Sequence, residues 1–144
     1  MPASDSAPPW RRLAAVFYDV LVLVAIWMFA AALVLLAFHG EVDVAHQPAL
    51  YHFVLQGVLL ALTALYFVFS WSRGGQTIGM RAWRVRLVDE NRRSPMPARS
   101  LLRFAFSLVS MLGAFGFIWC FFDPDRRAWH DVMARTRMIV VQKA

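Results

Sequence analysis

Two opposite charges, Arg12 and Asp19, stand at the start of an apolar run that extends from Leu13 to Phe38. They are seven residues apart, which on a helix places them on one face with a rise of about 10 Å between them. An Asp costs roughly 2.5–3.5 kcal/mol at mid-membrane and less near a helix end, so Asp19 needs a partner or a task. Two kinds of chemistry fit. Asp19 either pairs with Arg103 or with backbone N–H groups, or it binds a cation or relays a proton.

Polar side chains also recur at helical spacing in two later apolar runs. Three of them recur every seven residues in the second run, and the others share one face of the third run. These residues are Gln56, Thr63, Ser70, Arg103, Ser107 and Ser110. Such a stripe is typical of a helix–helix seam, and it also fits the wall of a polar path through a membrane.

The other reactive residue types form no recognisable catalytic or metal site. His39, Glu41, Asp43 and His46 lie close together in the first loop, but their spacing matches no zinc pattern and predicts a solvated loop. The single cysteine, Cys120, excludes an intramolecular disulfide. The sequence has no nucleophile with a base and no phosphate-binding glycine motif with its lysine. An enzyme, a bound metal and a bound cofactor are therefore not expected.

The composition is that of a membrane protein. Hydrophobic residues make up 60% of the 144 positions, against about 45–50% in soluble domains. Apolar runs at about 13–38, 52–71 and 101–122 predict an all-α transmembrane bundle of three segments. The first run is too long for a signal peptide and carries a charge, so we expect it to be retained as a helix.

The flanking stretches are more polar. Residues 1–9 are predicted to be a disordered tail, residues 10–141 the transmembrane domain, and residues 142–144 a second tail. Alternation over 83–88 predicts a strand or hairpin at the membrane surface, and 136–141 has the pattern of another short strand. The two strands can pair only if both lie on one side of the membrane.

The positive charges favour a lipid partner and set the topology. The net charge is +6, and the arginines flank the apolar runs, which indicates anionic lipid headgroups rather than nucleic acid. Two positive residues precede the first run, none lies in the first loop, seven lie in the insert over 72–100, and five lie in the tail. The positive-inside rule then places the N-terminus and the insert in the cytoplasm. A full crossing by segment three would put the basic tail outside, so a re-entrant hairpin near Gly113 and Gly116 is the favoured alternative.

Three motifs together resemble a known family. They are the stretch from Arg12 to Asp19, the turn from Gly75 to Arg81, and the stretch from Arg126 to Asp131 that is followed by Thr136. Their order and spacing over about residues 10–141 are similar to the RDD family of small prokaryotic membrane proteins, named for an arginine and two aspartates.

The resemblance maps the name-giving residues to Arg12, Asp19 and Asp131. Asp131 either caps or bonds the arginine-rich loop, or completes a polar cluster with Arg12, which also draws in Arg103. One position departs from the family pattern, because Arg135 stands where such proteins usually have a small residue. We do not expect that departure to alter the fold.

The resemblance implies a protein of the bacterial inner membrane, and it implies transport of small ions or solutes, with cation/proton exchange as the suggested activity. Three segments are too few to enclose a path, so a transporter is expected to be a homo-oligomer, with Asp19 and the polar stripes lining the path. The alternative is a non-transporting membrane scaffold or accessory subunit. In that case the charged residues hold the fold, and the insert binds lipid headgroups or a partner membrane protein.

Overall fold

The computed structural model describes residues 6–37, 48–113, 131 and 133–141. The elements, in chain order, are α1 (Pro9–Ala37), α2 (Pro48–Gly74), α3 (Ile78–Ala82), β1 (Val85–Asp89), α4 (Pro97–Gly113) and β2 (Thr136–Val140). The chain is thus mostly helical, with one small antiparallel sheet.

Helices α1 and α2 are long and apolar enough to cross a membrane. Only 11% of an apolar 18-residue stretch of α1 is buried, and 0% of the corresponding stretch of α2 is buried. The core helix of a soluble protein buries its apolar face, whereas these helices leave most of theirs uncovered, as contact with lipid requires. Trp27 of α1 donates its indole N–H to the Thr63 hydroxyl of α2 at 2.9 Å, so a hydrogen bond links the two helices.

One face of α1 is buried along most of its length. Its buried residues recur at spacings of three, four and seven, which is the helical period. They are Arg12, Ala15, Asp19, Leu23, Ala30 and Val34. Both charges at the start of α1 therefore face protein rather than lipid.

The two strand-like stretches of the sequence are strands, and they pair with each other, as they can only if both lie on one side of the membrane. Strands β1 and β2 are antiparallel, with Val85 opposite Val140 and Asp89 opposite Thr136. The predicted hairpin within the insert is not found, since β1 pairs with the C-terminal strand instead. The residues after β1 form a turn and then enter α4, so within the described insert β1 has no neighbouring strand to pair with.

Both outer edges of the sheet have a backbone partner. Ala7 donates its N–H to the Met138 carbonyl at 2.9 Å, and Leu87 donates to the Gly75 carbonyl at 2.7 Å. Covered edges do not offer a template for pairing with another chain. For residues 6–9 this corrects the prediction of a disordered tail, because Ala7 is fully buried; residues 1–5 lie outside the described residues.

A five-residue helix, α3, stands where the sequence predicts only tight turns. Its N-cap is Thr77, whose hydroxyl accepts from the Met80 N–H at 3.2 Å. Gly79 lets α3 lie directly against α1, since a Cβ there would overlap the Ala15 carbonyl oxygen. Gly75, with φ +67°, makes the turn between α2 and α3.

The membrane segments have somewhat different ends from those predicted. Helix α1 starts at Pro9 instead of residue 13, and α2 starts at Pro48 instead of residue 52. Helix ends are the least certain part of a sequence prediction, and proline is well suited to a first helical position. Segment three is helical from Pro97 to Gly113. Its remainder over 114–122, the question of a re-entrant hairpin, and the loop histidines lie outside the described residues.

Candidate functional site

Asp19 is held by neutral hydrogen-bond donors from three parts of the chain. Its Oδ1 accepts from the Tyr66 hydroxyl of α2 at 2.7 Å and from the Gly79 N–H of α3 at 2.9 Å. Its Oδ2 accepts from the Thr77 hydroxyl, which also caps α3. Asp19 is 3% exposed. Hydrogen bonds to a buried carboxylate stabilise its charged form, so this carboxylate needs no ion pair to remain buried.

Tyr66 connects this carboxylate to the start of α3 a second time. Its hydroxyl donates to Asp19 and accepts from the Ile78 N–H at 3.3 Å. The carboxylate therefore joins α1, α2 and α3 at one point, and the first turn of α3 depends on it.

The expectation that Asp19 forms an ion pair with Arg103 is wrong. Arg103 instead donates from Nη1 to Asp131 Oδ1 and, at 3.1 Å, to the Thr136 hydroxyl. Helix α4 packs on α2, and Asp131 is the carboxylate that contacts Arg103. The other structural expectation for Asp19, a bond from a backbone N–H, is met by Gly79.

Arg12, Arg103 and Asp131 form a second buried group, here called the arginine–aspartate cluster. Arg12 donates from Nη1 to Asp131 Oδ2 at 2.9 Å, so each carboxylate oxygen of Asp131 accepts from a different arginine. Arg12 also donates from Nε to the Ala7 carbonyl at 3.0 Å. All three charged residues are at most 4% exposed. The cluster thus connects residues 6–8, here called the N-terminal arm, and helices α1 and α4 to Asp131, which precedes β2.

Both charged groups contribute a side chain to the lining of one small cavity. Arg12 and Asp19 both line a cavity of about 40 Å³ together with Trp71, Phe67 and Met80. The arginine–aspartate cluster carries one excess positive charge, and Asp19 carries one negative charge, so the four buried ions together are neutral. Trp71 also lies under the Arg103 guanidinium, with the carbon 4.8 Å from the ring centre, a favourable cation–π geometry.

The predicted polar stripes behave as separate local features. Thr63 bonds Trp27 across the α1–α2 contact, which fits the seam interpretation. Gln56 is exposed and Ser70 is half-buried. Ser107 donates to the Phe104 carbonyl of its own helix at 2.7 Å, and the side chain of Ser110 lies outside the described residues. None of these residues is among the three donors to Asp19 described above.

Sequence reasoning missed the roles of Tyr66, Thr77 and Gly79. The signal for two of them was present, because Thr77 and Gly79 belong to the glycine-rich turn after α2, a motif already distinctive in the sequence. What the sequence does not show is that hydroxyl and backbone N–H groups would take the place of a cation opposite Asp19.

Two apolar, scarcely covered helices with buried charges at one end are features that support a membrane protein. The chain belongs to the RDD family, whose family model matches residues 6–135. Neither the comparison with curated proteins nor that with solved structures gives a match. The resemblance seen in the three sequence motifs is thereby confirmed, and all three residues to which it maps the family name, Arg12, Asp19 and Asp131, lie in the two buried charged groups.

The backbone at Arg135 explains why a small residue is expected at this position. Arg135 has φ 50°, in the left-handed region. A small residue such as glycine fits that region best, whereas other L-residues pay roughly 1–2 kcal/mol there. Arg135 nevertheless precedes a regular strand β2.

Proposed function

We propose that this chain is a multi-pass inner-membrane protein that works as a scaffold or accessory subunit and does not itself transport a solute. The observation that carries this proposal is that the buried carboxylates already have hydrogen-bond partners within the protein. Both oxygens of Asp19 and both oxygens of Asp131 accept hydrogen bonds from the protein. A transport carboxylate must exchange its partners for a cation or proton, and these partners hold several elements together.

The cavity beside the charges supports the same proposal. Its volume of about 40 Å³ is room for a few waters at most. A cation moving past Asp19 would need a continuous polar route, and the cavity is lined largely by apolar and aromatic side chains such as Phe67 and Trp71.

The paired sheet supports a cytoplasmic location for both ends of the domain. The pairing of β1 with β2 supports an arrangement in which the insert and the C-terminal strand lie on one side of the membrane. The contact of Arg12 with Asp131 supports the same side for the start of α1. The positive-inside rule assigns this arginine-rich side to the cytoplasm, which supports an N-terminus and a C-terminal strand that are both cytoplasmic.

A transport function in a homo-oligomer is the second candidate. It is favoured by one observation, the exposed amide of Gln56 on a helix that can span a membrane. A polar side chain facing lipid is costly and is commonly satisfied by another helix. A second copy packed on this face would bring two such amides together.

Flux measurements on reconstituted vesicles separate the two functions. We expect purified full-length protein to carry protons, sodium and potassium no faster than empty vesicles. The matched variants are Asp19→Asn, which removes the buried charge, and Glu90→Gln, which removes an exposed one. Flux above that of empty vesicles that is lost in Asp19→Asn and retained in Glu90→Gln would overturn the scaffold proposal and establish transport.

A further inference from the structure

An exposed aromatic surface joins the start of α1 to the end of α3. The Trp10 and Trp83 rings meet edge to face with centroids 5.7 Å apart, and Tyr18 and Trp83 meet in the same way at 6.2 Å. Trp10 is 55% exposed and Tyr18 45% exposed. Trp83 therefore packs between two residues of α1, and their rings form one continuous patch.

One arginine lies against this patch, and a second is the next residue in the chain after Trp83. The Arg11 guanidinium carbon lies 5.2 Å above the Trp10 ring centre, which holds the cation against the aromatic face. Arg84 directly follows Trp83 and is exposed. Among the described residues, neither arginine has a carboxylate partner. The aromatic rings thus have two cations beside them in structure or in sequence, and neither cation is paired with a carboxylate in the described part of the chain.

We propose that Arg11 and Arg84, with Trp10, Tyr18 and Trp83, form a binding site for the phosphate of an anionic phospholipid headgroup. Guanidinium groups match phosphate oxygens in shape and charge. Tryptophan and tyrosine side chains concentrate at the membrane–water boundary, where one end of the ring is apolar and the other is wet. The site rests on the membrane nature of the protein, and it is independent of whether the protein transports.

The surroundings of the patch favour lipid over nucleic acid. Leu13 and Phe17, on the same stretch of α1, are also largely exposed and continue the surface into the apolar part of a helix that can span a membrane. A bound headgroup extends its acyl chains along such a surface. A nucleic acid has no part that matches it.

The test is equilibrium binding of a fluorescent short-chain phosphatidylglycerol to the full-length protein in neutral detergent. The corresponding phosphatidylcholine is the control lipid. The variants are Arg11→Gln and Arg84→Asn, with Arg92→Asn as the matched control. Arg84 and Arg92 are both exposed and both have left-handed φ, 55° and 59°, which asparagine tolerates. They precede and follow β1, whose five residues span about 17 Å.

We expect the wild-type protein to prefer phosphatidylglycerol. Each of Arg11→Gln and Arg84→Asn should weaken that binding about fivefold, which is the effect of one arginine at an anionic surface, and the double variant about 25-fold. Arg92→Asn should stay within about twofold of wild type, and all variants should unfold at the wild-type detergent concentration. Equal binding of the two lipids, an equal loss in Arg92→Asn, or displacement of the lipid by a short oligonucleotide at lower concentration would each overturn the proposal.

Discussion

Replacement of Asp131 by asparagine tests the arginine–aspartate cluster most directly. Asp131 is 1% exposed, and its two oxygens accept from Arg12 and Arg103, which are themselves buried. The change is nearly isosteric, so it removes the charge and leaves the volume in place. The new amide keeps one acceptor oxygen, while its NH₂ group presents a donor to the other guanidinium.

The expected loss follows from leaving two buried cations without their anion. Removing one member of a buried ion pair typically costs about 3–5 kcal/mol. Asp131→Asn should therefore lower the free energy of unfolding by about that amount, a large part of the 5–15 kcal/mol that is typical of folded domains. The measurement is a denaturing-detergent titration of the full-length protein in mixed micelles.

Two further variants make this measurement decisive. Glu90→Gln removes the same charge from an exposed position and should change the free energy of unfolding by less than about 0.5 kcal/mol. Adding Arg12→Gln to Asp131→Asn removes one unpaired cation, so the double variant should lose less than the sum of the single losses by about 1 kcal/mol or more. A loss in Asp131→Asn no larger than that in Glu90→Gln, or strict additivity in the double variant, would refute the reasoning.

Two predictions concern the donors around Asp19 and use the same titration. Gly79→Ala should lower the free energy of unfolding by about 2–3 kcal/mol, because the new Cβ would overlap the Ala15 carbonyl oxygen. In the control variant Gly57→Ala the new Cβ meets nothing within 4 Å, so the free energy of unfolding should change by less than about 1 kcal/mol. Similar losses in both variants would contradict the tight α1–α3 contact. Thr77→Val should cost about 2–4 kcal/mol, since it removes both the N-cap and the bond to Asp19. Thr77→Ser retains the hydroxyl and should lose less than about 1 kcal/mol, and equal losses in the two Thr77 variants would rule out the hydroxyl as the cause.

The buried charges explain how a small chain can hold α3 and the sheet against the long helices α1 and α2. Burying an ion pair is weak evidence for stability by itself, because desolvation offsets much of the attraction. Here each carboxylate contacts several elements at once: Asp19 joins α1, α2 and α3, and Asp131 joins the segment before β2 to α1 and α4. Such contacts specify one arrangement among those that apolar packing alone would permit.

Local patterns were sufficient to predict the two long helices and both strands. The apolar runs indicate α1 and α2, and alternation of apolar and polar residues indicates β1 and β2, because both signals depend only on neighbouring residues. The resemblance of the three motifs to the RDD family also singles out Arg12, Asp19 and Asp131. Short α3 was not predicted, since a five-residue helix has too few residues for a periodic signal and depends on its cap.

The sequence left alternatives open for the partners of the charges, and only the tertiary structure decided among them. Arg12 and Asp131 are 119 residues apart in the chain, and their contact exists because β2 pairs with β1 and the N-terminal arm lies on β2. From the sequence, Arg103 was the natural counter-ion for Asp19, because opposite charges at matched depth attract. The folded chain instead gives Asp19 two hydroxyls and a backbone N–H. Such donors carry no net charge, and only their positions in space reveal that they stabilise a carboxylate.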